Sequence, residues 1–164
     1  MPLAARHAYC CILTSVIPQT VTTAHPAPRG PALRAMAHPR CVACSPQSER
    51  GLRLDFEDTG DGGVRATFDC ATAFEGYPGY LHGGIIATIL DSAMANCLFA
   101  QGYQAVTAEL TVKFRAPVVL ERATVTEARA TRDLFPLFLM EANLIQDGQT
   151  KATATAKFII SKGL

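Results

Sequence analysis

Residues 82–102 read HGGIIATILDSAMANCLFAQG, and the fold turns on how that stretch is taken. Ile85, Ile86, Ile89, Leu90, Ala93, Met94, Cys97 and Leu98 recur at i, i+3, i+4 and i+7, the spacing of a helix, and Gly102 follows as a stop. Apolar residues cover most of the circumference, so this helix has to be enclosed on several sides. Gly83 to Ala100 is interrupted by Asp91 and Ser92, and on that ground it is read as short of the about 20 apolar residues of a bilayer span. The expectation is a core helix of a soluble chain with no membrane partner.

The enclosing material lies on either side. Upstream, Leu52, Leu54 and Phe56 alternate with Arg53, Asp55 and Glu57, then Asp58 to Gly63 (DTGDGG) makes a turn, and Val64, Ala66, Phe68 and Cys70 form the second strand of a hairpin. Downstream, residues 104–115, 119–132, 134–146 and 149–162 read as four long strands in an antiparallel meander, the last two joined by Asp147-Gly148. Pro117 marks a boundary and Pro136 an edge or bulge. Phe74 to Gly84 (FEGYPGYLHGG) holds four glycines and Pro78, which makes it a shaped loop. The predicted class is α+β: a curved antiparallel sheet of about six strands wrapped around one long central helix.

A chain of 164 residues with 15 Lys+Arg against 14 Asp+Glu is sized for one domain and carries no positive field to hold nucleic acid. Its charge is uneven, because no acid precedes Glu49. Three readings compete for this start: a transit-like leader, a weak secretory signal on residues 8–17, and upstream sequence translated from a start placed too early. The third is preferred, which assigns 1–35 to a leader or misassigned start and 36–164 to the domain. Of six cysteines, Cys70 and Cys97 fall in a strand and a helix pattern where a free thiol acts as a small hydrophobe. Free thiols point to a reducing, cytoplasmic setting.

His82 closes the loop and Gly83 and Gly84 open the helix. A helix N-terminus offers unpaired N–H groups and partial positive charge, and glycine admits a carbonyl close to the backbone, so Gly83 N–H is a candidate oxyanion donor. Asp91 is the anomaly, a carboxylate in an apolar run, costly unless solvated or paired. Nine residues at about 100° each put it half a turn away from His82, with a rise of about 13 Å. The two either act separately or meet across a twofold dimer. The plainer alternatives are a solvated Asp91 and a His82 that only caps the helix.

FEGYPGYLHGGIIATILD, then AVTAELTVKFRAPV at 105–118, then the Asp147-Gly148 turn with an ATATAKF strand, resemble the hotdog-fold acyl-CoA thioesterases of the phenylacetate-pathway type, over about Cys41 to Lys162. The resemblance implies a hotdog fold and hydrolysis of an acyl-CoA thioester, without cofactor or metal, in a homodimer or dimer of dimers. Gly83 N–H would polarise the carbonyl, His82 would shape that corner, the partner's Asp91 would be base or nucleophile, and Thr107 would position water. Gly84, Ala108, Lys113 and Arg115 would bind substrate, the two cations by meeting CoA phosphates. Tyr77, Tyr80, Met94 and Phe99 suggest an apolar pocket, although aromatic residues in a wrapped sheet more often serve packing than recognition. Many members carry Asn or Gln at the position of Gly76, so a slow enzyme and a non-catalytic acyl-CoA-binding dimer stand as alternatives. A hydratase-type enzyme on the same fold is a further one, although such sites usually place an Asp and a His together on one short segment, which is absent here.

His38, Cys41 and Cys44 have the spacing of half a zinc site. No second C-x-x-C or H-x-x-H follows, and Cys10, Cys11 and His25 as fourth ligands lie in the leader. The element is therefore read as a metal-free knuckle packed against the body.

Overall fold

The computed structural model describes residues 27–160. Readings that rest on residues 8–17, on Cys10, Cys11 and His25, or on a strand end at Lys162 lie outside that range.

Helix α2, Gly83–Gln101, organises the rest. Its limits follow from its caps. His82 is extended at φ −64° and ψ 135°, and its side chain accepts the Gly84 N–H. Gly102 takes the left-handed conformation, φ 88°, in which its N–H returns to the carbonyls of Leu98 and Phe99. By length and composition α2 does suffice to cross a bilayer, contrary to the sequence expectation. Here it is the core helix: Ile89, Leu90, Ala93, Met94 and Cys97 have no exposed surface.

The sheet that wraps it has six antiparallel strands, β1 (Glu57–Asp58), β2 (Gly63–Asp69), β3 (Ala105–Phe114), β4 (Ala123–Leu134), β5 (Leu137–Gln146) and β6 (Gln149–Ile160), in the order β1-β2-β4-β5-β6-β3. Two strand readings need correction. The meander holds only for β4, β5 and β6. After α2 the chain enters the far edge, where β3 pairs with β6, and β4 then returns to pair with β2. Leu52–Phe56 is no sheet strand either, although Leu54 and Phe56 are buried as the alternation predicts. Arg53 sits at φ 51°, which breaks the extended run, and the N–H groups of Leu52 and Leu54 bond to the carbonyls of Val42 and Ala43 instead. Only Glu57 and Asp58 pair with β2.

A short helix α1, Gly30–Ala37, straddles the boundary expected at Met36. Leu33 is buried, and Arg34 pairs with Asp55 at 2.8 Å.

Strand β3 carries the local feature that matters most for the site. Its register against β6 shifts between Thr107 and Glu109, leaving Ala108 without a partner in the ladder, a β-bulge. Cross-strand partners share a face, and Thr107, Leu110, Val112 and Phe114 pair with Phe158, Ala156, Ala154 and Ala152, all buried against the helix side. The extra residue switches parity, so that a polar Thr107 faces α2 together with the apolar residues beyond it.

Candidate active site

The corner at the start of α2 is built by the loop before it. Glu75 bridges Leu81, His82 N–H bonds to the Phe74 carbonyl at 3.0 Å, Gly76 N–H bonds to the Tyr80 carbonyl at 2.9 Å, and Glu75 Oε1 accepts the Gly79 N–H at 2.6 Å. His82 Nδ1 accepts from Gly84 N–H at 2.9 Å, which makes Nδ1 the unprotonated nitrogen and leaves any ring proton on Nε2. The His82 carbonyl takes the N–H groups of Ile85 and Ile86 at 3.0 and 3.1 Å. Among the described residues, Gly83 N–H is the amide of this first turn left without a partner. An aligned helix end with one free N–H is suited to an oxyanion.

Three glycines keep the corner open, each in a different way. A Cβ on Gly76 would stand 2.9 Å from His82 Cα, so the space an Asn or Gln would enter at that position is taken by His82 itself. A Cβ on Gly84 would meet His82 Nδ1 at 3.0 Å. On Gly83 it would touch only the Phe114 ring at 3.6 Å, ordinary contact. Phe114, 58 % exposed, forms the wall beside Gly83. The sequence reading missed it, and its apolar place at the end of β3 was the available signal.

The second group lies along the helix. Thr107 Oγ1 donates to Asp91 Oδ1 at 2.6 Å, so the bulged strand and the helix bring these two predicted residues together within one chain. Asp91 is half-buried and Thr107 exposed. The uninterrupted α2 keeps Asp91 on the face opposite His82, about 13 Å along the axis. Within a protomer the corner and the carboxylate are thus separate.

Other predicted residues are not gathered. Lys113 pairs with Thr153 on the outer face of the sheet, opposite to Thr107, and Arg115 is exposed just past the strand end. Ala108 is the bulge residue rather than a lining residue of the corner. The apolar pocket does not form, because Met94 and Phe99 are sealed in the core while Tyr77 and Tyr80 are 83 % and 43 % exposed.

The knuckle packs behind the carboxylate. The His38 ring meets the Phe99 ring edge-on, with centroids 4.9 Å apart. Burial pushes the His38 imidazole down from its ordinary value, and Asp91 partly restores it, so the two groups sense each other. His38, Cys41 and Cys44 place one ligand atom each within 4.8 Å of the others.

Residues 78–132 match the family model described as Thioesterase superfamily. The chain is 28 % identical over 113 residues to the acyl-coenzyme A thioesterase THEM4 of Rattus norvegicus, a match covering 65 % of this chain and 49 % of that protein. It therefore spans about half the length of that relative. A thioesterase superfamily protein of known structure superposes with a TM-score of 0.70 at 21 % identity, over 73 % of this chain and 63 % of the other. A phenylacetic acid degradation-related protein of Ralstonia eutropha superposes with a TM-score of 0.61 at 25 % identity, over 66 % and 86 %. The fold is the hotdog fold. The family match on residues 78–132 takes in Gly83, Asp91 and Thr107, so both halves of the candidate site fall inside the hotdog's matched segment.

Proposed function

We propose that this hotdog domain hydrolyses acyl-CoA thioesters, at a site shared by two copies of the chain. The observation that carries the reading is the pairing of a free Gly83 N–H at the N-terminus of the core helix with a carboxylate on the same helix, Asp91, held by Thr107. The thioester carbonyl oxygen would sit on Gly83 N–H. Asp91 of the other copy would take the proton from water as the water oxygen attacks the carbonyl carbon. The carbon–sulfur bond then breaks, and the sulfur leaves as CoA thiol after taking up a proton. Thr107 holds the carboxylate so that its second oxygen faces the water.

Support for two copies comes from strand β3. It ends the sheet, and its outer edge of ten residues has no strand partner among the described residues. An open edge of that length is a template for pairing. Asp91 lies on the helix turn facing β3, so a second copy docked there brings its own corner within reach. Small or medium acyl and aryl groups, a homodimer or dimer of dimers, and a reducing cytoplasmic setting for the four free cysteines described complete the proposal.

The test is free-thiol release from a panel of acyl-CoA substrates by the full chain, with Asp91→Asn beside it. Turnover lost in the variant supports the reading, and turnover at the unaltered rate rejects the role of Asp91. A non-catalytic acyl-CoA-binding dimer is the second reading, favoured by Gly76, whose place leaves no amide side chain to steady the corner. That reading requires saturable binding of acyl-CoA with no thiol release.

A further inference from the structure

The knuckle of residues 38–45 gathers three metal-ligating side chains that the proposed thioester hydrolysis does not use. We propose that His38, Cys41 and Cys44 bind one zinc-class ion through three protein ligands, and that this ion fastens the knuckle to the core helix.

Zinc bonded to nitrogen at about 2.0 Å and to sulfur at about 2.3 Å in a tetrahedron sets nitrogen and sulfur about 3.5 Å apart and two sulfurs about 3.8 Å apart. His38 Nδ1 stands 3.5 Å from Cys44 Sγ, and no pair of ligand atoms in the triad is more than 4.8 Å apart. Small side-chain rotations close the remainder. One imidazole and two thiols form a mixed, borderline-soft donor set, which selects zinc over hard cations such as magnesium or calcium.

The surroundings orient these ligands. Ala43 N–H points to Cys41 Sγ at 3.4 Å, a backbone donor of the kind that stabilises a thiolate. The edge contact with Phe99 fixes the His38 ring. Asn96 of α2 reaches the Cys44 sulfur, and Arg34 lies close enough to act on it electrostatically. A cavity of about 140 Å³ lined by His38, Cys44 and Arg34 gives an entry path. The sequence reading rejected a metal for want of a fourth protein ligand. Three donors from the protein and one from solvent satisfy a tetrahedral ion, as sites with an open position do.

The consequence for the fold is specific. The same knuckle supplies the Val42 and Ala43 carbonyls that bond Leu52 and Leu54, each at 2.8 Å, the segment that leads into β1. An ion on the triad would tie that lead-in to Phe99 and Asn96 of α2.

The test uses the full chain purified with a thiol reductant and no added chelator, and it does not depend on any hydrolytic activity. Metal content by plasma mass spectrometry is expected to give close to one zinc per chain. After chelation, titration with Co²⁺ is expected to produce the near-ultraviolet thiolate-to-cobalt band, and added zinc to raise the unfolding temperature of the stripped protein. Cys44→Ser is expected to weaken zinc binding by about 100-fold or more, and His38→Gln by about 10-fold to 100-fold. A full-length Cys10→Ser/Cys11→Ser variant is expected to bind as the parent does. Circular dichroism identifies variants that fold, and His38→Gln, which keeps both thiols, serves if Cys44→Ser does not. Failure of the folded parent to bind either metal, a Cys41–Cys44 disulfide under these conditions, or folded variants that bind as tightly as the parent overturns the site.

Discussion

The two halves of helix α2 share one regular backbone and differ in almost everything else. From Gly83 to Asp91 buried positions (Ile86, Ile89 and Leu90) are interspersed with accessible ones, Gly83, Gly84, Ile85, Ala87, Thr88 and Asp91. From Ser92 to Phe99 every residue is buried. In that second half even the polar side chains are paired internally, Asn96 Nδ2 with the Ser92 carbonyl at 2.8 Å and Cys97 with the Gly62 carbonyl. The contrast shows how a single core helix serves two ends: the sealed half anchors it in the sheet on all sides, and the half-open one buries Ile86, Ile89 and Leu90 on one face while presenting its free N–H and its carboxylate on accessible positions. Substitutions at the accessible site positions of the first half, Gly83 and Asp91, should then change activity and leave stability nearly intact, and those in the second half should do the reverse.

The largest effect is expected at Asp91. Asp91→Asn keeps the shape and the Thr107 contact but removes the base, and it should lower kcat for acyl-CoA hydrolysis by about 10²-fold to 10⁴-fold, the range of general-base catalysis. Chemical denaturation should give a midpoint close to that of the parent. A strongly destabilised Asp91→Asn would break the division of labour. In the sealed half, Leu98 is 1 % exposed, and Leu98→Ala should cost about 2–5 kcal/mol in urea unfolding through lost contacts and a residual cavity. The fraction that remains folded should turn over at close to the parental kcat.

Gly83→Ala sharpens the comparison, since an added methyl there meets only Phe114 at ordinary contact distance. Stability should hold or rise by up to about 1 kcal/mol, as for glycine replaced in a helix. Activity should fall by about 10²-fold, because the methyl stands where the carbonyl must approach the amide, approaching the loss seen when an oxyanion donor is removed. Thr107→Val removes the hydroxyl that donates to Asp91 at 2.6 Å while preserving side-chain volume. A drop in kcat of about 10-fold is expected, in keeping with a hydrogen bond to a charged group, with Thr107→Ser restoring most of it. If Thr107→Val is fully active, the carboxylate does not depend on β3.

Much of this helix was legible in the sequence, because its limits are written in local chemistry: a histidine with two glycines at one end and Gly102 at the other. The hairpin around Asp58–Gly63 was legible for the same reason. Strand order was not, since whether the chain after α2 joins β4 or crosses to β6 depends on where the helix delivers it. The site was half legible. His82, Gly83 and Asp91 stood out by type and spacing, but nothing in Thr107-Ala108-Glu109 announces a bulge, and without it alternation would turn Thr107 away from the side that Leu110, Val112 and Phe114 occupy. The role of Gly76 was hidden too, because an empty position explains itself only when His82 is seen filling the space. The Leu52–Phe56 alternation foretold burial correctly and pairing wrongly, since periodicity reports which face is dry and says nothing of which backbone supplies the hydrogen bonds.

The smallest effect belongs to Cys97, in the sealed half, and it is visible only at alkaline pH. Burial pushes this thiol up to about 11 from an ordinary value of 9.0, and the Cys97 side chain has no exposed surface. Between those two values the unfolded chain loses the Cys97 proton while the folded chain keeps it, so the unfolded state binds fewer protons and stability falls as pH rises. Below pH 9 both states hold the proton and the contribution is complete and flat. The urea midpoint of the parent should therefore drop more steeply between pH 9 and 11 than that of Cys97→Ala, whose midpoint starts lower at pH 8 because sulfur contacts are lost. Tyrosine and lysine titrations act on both proteins alike, so the difference in slope isolates Cys97. Equal slopes would mean that water reaches the thiol in the folded state, and that the second half of α2 is as open as the first.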